Sequence, residues 1–168
     1  PSGPYLWSRP ETQCPSKAAL GPNHGDEPMN TKTADRELVE SLYAKVLTAG
    51  GSKDLPADAA GILADGWASI GNYSGQNKDR AAFVKQVSGF FQLIPDLAWK
   101  IEEVLTDGNR YVVRGRATGT PRGPFFGVEP TGKRFDILTV DIHTVEDGRI
   151  ARTYHVEDWA GALGQLRS

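Results

Sequence analysis

Residues 135–157 read FDILTVDIHTVEDGRIARTYHVE, and the two-residue rhythm of this stretch decides the fold. Apolar and polar side chains alternate on both sides of Glu146-Asp147-Gly148, as they do in strands whose side chains point to opposite faces in turn. A polar break ending in glycine between two such runs is a hairpin signal. We read the break as a three-residue loop with Gly148 in a left-handed bulge, so that Val145 faces Arg149, Asp141 faces Thr153 and Thr139 faces His155. One face then carries Phe135, Ile137, Thr139, Asp141, His143, Ala151, Thr153 and His155. The other carries Leu138, Val140, Ile142, Ile150, Tyr154 and Val156. Asp141 and His155 form a diagonal pair, with backbones roughly 7–8 Å apart.

The two faces ask for different surroundings. The second is apolar throughout. The first turns polar along its length, and a buried polar group without a partner costs about 1–3 kcal/mol. A row of Thr, Asp and His therefore points to a cavity.

Upstream of the hairpin the period is helical. Thr33 opens a helix with Leu38, Val39, Leu42, Tyr43, Val46 and Leu47 as its apolar stripe, and Gly50-Gly51 ends it. A second helix follows Pro56 and ends before Gly66; residues 67–73 form a short extended piece. Asn77 caps a third helix, with Ala82, Phe83, Val87, Phe90, Phe91 and Ile94 facing inward. Strands are expected at 97–106, 109–119, 134–145 and 149–157, and a last helix runs from Trp159 with Asp158 as its N-cap. Helices first and an antiparallel meander afterwards make an α+β protein.

Composition bounds what this protein can be. A chain of 168 residues, 39% hydrophobic, is long enough for one domain with a core. Its 19 basic and 21 acidic side chains are interspersed, without the basic face that nucleic-acid binding needs. No apolar run approaches the roughly 20 residues that cross a bilayer. Cys14 is the only cysteine, so no intrachain disulfide forms, which fits a cytoplasmic setting. Residues 1–32 are proline-rich and aperiodic. We read them as a non-native or disordered extension, with Met29 as the natural start, Tyr5, Leu6 and Trp7 as its packing residues and 33–168 as the domain.

The three leading helices, the loop GPFFGVEPTGKRF (123–135), the hairpin VEDGRI (145–150) and the ending DWAGALGQL (158–166) together resemble the SnoaL-like polyketide cyclases, or ester cyclases, of the nuclear transport factor 2-like superfamily. The resemblance covers roughly residues 33–168. It implies a cone-shaped α+β barrel: a strongly curved, mostly antiparallel sheet wrapped around a pocket that three N-terminal helices close. It also implies cofactor-free ring closure of a polyketide ester by an intramolecular aldol step, and a homodimer. In those cyclases the acid/base group is an aspartate five residues after the hairpin isoleucine; here that position is His155. The family's histidine on the preceding strand corresponds to Asp141, a cavity glutamine to Thr139, and a second histidine to Thr153. Carboxylate and imidazole have exchanged strands.

Acid/base chemistry survives the exchange. An imidazole with an ordinary pKa near 6.5 accepts and returns a proton at neutrality. His155 is the expected base, Asp141 its orienting partner, and Tyr73 or Thr139 the donor to a developing oxyanion. Trp67, Phe83, Phe90, Phe125, Phe126 and Ile137 are expected to line the cavity with Thr139, Thr153 and His143, which suits an apolar, carbonyl-bearing small molecule. Asp141, His143 and His155 are also the residue types of a two-histidine, one-carboxylate metal site, but His143 lies toward the hairpin mouth, and we expect no metal and no cofactor. The alternatives are an epoxide-hydrolase-like or isomerase activity, and a non-catalytic small-molecule binding module. The apolar outer face predicts a sheet-to-sheet homodimer.

Overall fold

A computed structural model describes residues 29–168; the extension over 1–28, with Tyr5, Leu6 and Trp7, lies outside the described residues. Helix α1 spans Met29–Ser41 and so begins four residues before the expected Thr33. It runs directly into a π-helical turn, Leu42–Leu47, with Leu42, Tyr43 and Val46 buried. Helix α2 (Leu55–Ile62) starts with Pro56 in its first turn and the Asp54 carboxylate accepting from Ala57 N–H. Strand β1 (Leu63–Ile70) follows at once. Helix α3 (Arg80–Leu93) is capped by Asp79 rather than the expected Asn77, its carboxylate accepting from Ala82 N–H. Strands β2 (Ala98–Asp107), β3 (Arg110–Gly119), β4 (Phe135–Glu146) and β5 (Arg149–Glu157) form the meander, and α4 (Trp159–Arg167) ends the chain with Asp158 as its cap.

The sheet order is β1-β5-β4-β3-β2. All pairs are antiparallel except β1 with β5, which is parallel. The sheet is mixed and open, with β1 and β2 as its edges, so the expected cone is a curved sheet that does not close on itself. Two apolar clusters hold it together. One joins the first two helices to the sheet through Val39, Leu42, Tyr43, Ile62, Tyr111 and Ile150. The other packs Phe125, Phe135, Ile137 and Ala117 under α4 through Ala162 and Leu166.

The hairpin register differs from the reading above. Glu146 pairs with Arg149, leaving Asp147-Gly148 as a two-residue turn with φ of 50° and 67°. Positive φ at both central residues is the turn that matches strand twist, and glycine takes the second without strain. A two-residue turn alone would send His155 outward. It does not, because β5 carries one extra residue: Thr144 pairs with Arg152 and Val145 with Ile150, so Ala151 is a bulge. Beyond it His143 faces Thr153, Asp141 faces His155 directly, and Thr139 faces Glu157. The two-residue turn pairs Ile150 with the buried Val145, so Ile150 is fully buried rather than on the outer face.

Candidate active site

A cavity of about 380 Å³ opens between the sheet, the π-helical turn and α3. Asp141, His143, Thr153 and His155 line it, with Trp67, Phe83 and Phe126 among its apolar walls. Leu42, Trp99 and Trp159 complete those walls. Other expected members are elsewhere. Tyr73 sits in the polar loop after β1 and is 97% exposed. Phe90, Phe125 and Ile137 belong to the cluster under α4, where an aromatic group around Trp159 packs them. Thr139 is fully buried and outside the cavity lining, its unpaired hydroxyl over Gly115, where a Cβ would come within 2.9 Å of it.

The polar lining divides into two groups. The first is a buried chain. Tyr43 donates its hydroxyl proton to Asp141 Oδ2 at 2.7 Å, and the phenol oxygen also lies 2.8 Å from His143 Nε2. A phenol has one proton to give, so His143 Nε2–H is the donor in the second bond. His143 Nδ1 then accepts from the Thr153 hydroxyl at 2.9 Å, and Thr153 in turn accepts from Trp67 Nε1–H at 3.0 Å. Every proton in the chain points toward Asp141. Burial, with the His155 charge adding to it, depresses the His143 pKa to about 3, so this imidazole stays neutral. Burial also raises the Tyr43 phenol far above its ordinary range.

Asp141 ends the chain. Burial pushes its pKa up to about 7, against the lowering effect of the Tyr43 hydrogen bond. Tyr43 occupies Oδ2, and Asp141 itself lines the cavity. At neutral pH the group divides between carboxylate and acid.

The second group is on the opposite strand. His155 Nδ1–H donates to Glu157 Oε1 at 2.8 Å, which leaves Nε2 to accept from the Ser69 hydroxyl at 2.9 Å. Glu157, not Asp141, is therefore the orienting carboxylate. Its hydrogen bond and charge raise the His155 pKa above the ordinary imidazole value, against burial. Gly71 lies against this ring: a Cβ there would come within 3.0 Å of Cε1 and 3.1 Å of Nε2.

Tyr43, Glu157 and Ser69 belong to the site without being among the site residues expected from sequence. Glu157 carried a usable signal, since it stands two residues after His155 and shares its face. Tyr43 carried none that separates it from core, and its partners lie 98 and 100 residues away. Among the described residues no cluster of three His, Cys, Asp or Glu side chains has the geometry to hold a metal ion.

The α+β sheet with helices over one face and an ionisable cavity between them is a ketosteroid-isomerase-like fold. The chain belongs to the SnoaL-like polyketide cyclase family, whose model matches residues 41–166. Among solved structures, a candidate SnoaL-like polyketide cyclase from Jannaschia sp. CCS1 is 24% identical with a TM-score of 0.72, over 86% of this chain and 99% of its own. IdmH, a candidate polyketide cyclase from Streptomyces antibioticus, is 23% identical with a TM-score of 0.69, over 80% and 99%. A protein of ketosteroid isomerase-like fold from Catenulispora acidiphila, solved with trimethylamine, is 14% identical with a TM-score of 0.61, over 78% and 92%. At these identities the likeness is one of fold. No curated relative matches the sequence. The family makes the coarse reading an enzyme of the polyketide-cyclase type.

Proposed function

We propose that the protein is a cofactor-free acid/base enzyme that closes a ring in an apolar, carbonyl-bearing small molecule of the polyketide class by an aldol step. The observation that carries this reading is the pairing of Asp141 with His155 side by side on adjacent strands at one wall of the cavity, each held by a different partner. His155 Nε2 takes a proton from the carbon beside a carbonyl. Asp141 in its acid form donates to that carbonyl oxygen as it becomes an enolate, the arrangement known from carboxylic acids kept neutral by apolar sites. The enolate carbon attacks a second carbonyl, and the imidazolium returns its proton to the new alkoxide. No proton is gained or lost overall. Trp67, Phe83 and Phe126 supply the walls that fold the chain of the substrate into attacking distance.

Replacing His155 with Ala tests this. With a poly-β-keto ester as substrate, turnover falls about 10²–10⁴-fold while ligand affinity, measured by calorimetry, stays near the parent's. Turnover that survives the replacement removes His155 as the base, and a parent that binds but turns over nothing favours the binding-module reading. Epoxide hydrolysis has less support, since among the described residues no arginine lines the cavity to complete an Asp-Arg-Asp set.

We also propose that the outer sheet face is a homodimer interface. Leu138 and Val156 are 56% and 68% exposed, with Val140, Ile142 and Tyr154 beside them. Contiguous apolar surface of this kind marks an interface on most proteins. Two arginines beside it are already paired within the chain, Arg114 with Glu103 and Arg116 with Asp136, so association here rests mainly on apolar area.

A further inference from the structure

Ser69, His155 and Glu157 are in the order of a nucleophile, its base and the carboxylate that orients the base. We propose that Ser69 is a nucleophile toward carboxylic esters of apolar acids, giving the cavity an acyl-transfer activity separate from ring closure. The geometry is complete at both joints: Ser69 Oγ to His155 Nε2 is 2.9 Å and His155 Nδ1 to Glu157 Oε1 is 2.8 Å. Such a set is recognised by roles and distances, not by chain order or fold. A hydrogen-bonded serine that merely fills space has no need of an imidazole whose far nitrogen is held by a buried carboxylate. Both members of that ion pair are largely buried, with side chains 18% and 15% exposed.

Local structure fixes the serine. Ser69 sits on β1 in register with Thr153, one step from His155 on the facing strand, and it lines the cavity at 4% exposure. Its backbone exchanges two hydrogen bonds with Lys78, Ser69 N–H to Lys78 O at 2.9 Å and Lys78 N–H to Ser69 O at 3.1 Å. That bridge sets the Lys78 and Ser69 side chains next to one another, and Lys78 also lines the cavity. Lys78 and Asn72 both line the cavity, and within this proposal they are the residues that would supply donors to an oxyanion formed on a carbonyl bound at Ser69.

The step balances without a cofactor. Ser69 Oγ bonds to the ester carbonyl carbon while its proton passes to His155 Nε2. The tetrahedral oxyanion collapses, the carbon–oxygen bond to the alcohol breaks, and His155 gives its proton to the departing alkoxide. Water then attacks the acyl-serine with His155 again as base, releasing the acid and restoring the hydroxyl. Ester and water become acid and alcohol.

The test uses p-nitrophenyl hexanoate and an alkyl fluorophosphonate on the full chain, read by rapid-mixing absorbance and by intact and peptide mass. The expected result is a burst of about one equivalent of nitrophenolate and a single phosphonate adduct on Ser69. Ser69→Ala, folded by circular dichroism, shows neither, and Glu157→Gln slows the burst at least a hundredfold. Ser69→Cys keeps a nucleophile on the same Cβ and is acylated through a thioester, which holds the test open if the alanine variant misfolds. No adduct on the parent, an adduct on another residue, a burst that persists in folded Ser69→Ala, or a folded Ser69→Cys that resists acylation overturns the proposal.

Discussion

Asp141 sets the pH behaviour of the site through a carboxyl that burial lifts from an ordinary 3.8 to about 7. If it works as an acid and His155 as a base, activity rises as His155 loses its proton and falls as Asp141 loses its own. The profile of kcat/KM against pH is then a bell. Asp141→Asn keeps a donor but has nothing to ionise, so the alkaline limb flattens while the acid limb stays. Glu157→Gln removes the bond that raises the His155 pKa, so the acid limb moves to lower pH. The same groups act on stability with opposite signs. The folded chain holds a proton on Asp141 that the unfolded chain releases above 3.8, so this residue lowers stability progressively as pH rises to about 7. His143 does the reverse: its folded pKa of about 3 lies below the ordinary 6.5, so its contribution grows as pH rises between them. Between 3.8 and 6.5 the two slopes oppose each other. Asp141→Asn therefore unmasks a melting temperature that climbs with pH across this window, and it is more stable than the parent at pH 8; differential scanning calorimetry from pH 4 to 8 checks both.

Among elements, the π-helical turn does what a regular helix would leave to chance. Its wider turn carries Tyr43 to a carboxylate and an imidazole on β4, and such turns recur at functional sites. Tyr43→Phe leaves two buried polar atoms without a partner, at a cost of about 1–3 kcal/mol each. It also removes the hydrogen bond that lowers the Asp141 pKa, so the alkaline limb of the rate profile moves upward. Melting temperature and pH profile of that one variant separate the effects. Gly71→Ala gives a third reading, since its methyl meets the His155 ring and lowers kcat with little change in stability. Much of this level was legible in the sequence. The period change near residue 97, the cap at Asp158 and the inward row on β4 all come from alternation and capping chemistry. The register did not, because Ala151 has no property that marks it as a bulge, and the parallel pairing of β1 with β5 joins segments whose sequences say nothing of each other. The cavity walls were half legible: an inward aromatic looks the same whether the space beside it is empty, as at Phe83, or filled, as at Phe125.

For the whole molecule, the outer face and the cavity are two sides of one sheet. If the outer face pairs two copies, light scattering at micromolar concentration gives a mass near twice 18.2 kDa. Val140→Glu, placing a charge amid that face, returns the monomer mass with the cavity chemistry intact. The bulge at Ala151 then acquires a meaning like that of a reading frame. Removing that one residue shifts the parity of everything after it on β5: Thr153, His155 and Glu157 move to the side where Arg152 and Tyr154 now stand, and those two move toward the cavity. Every amino acid of the site would still be present in the chain, and both chemistry and assembly would be lost in a single frameshift of the fold.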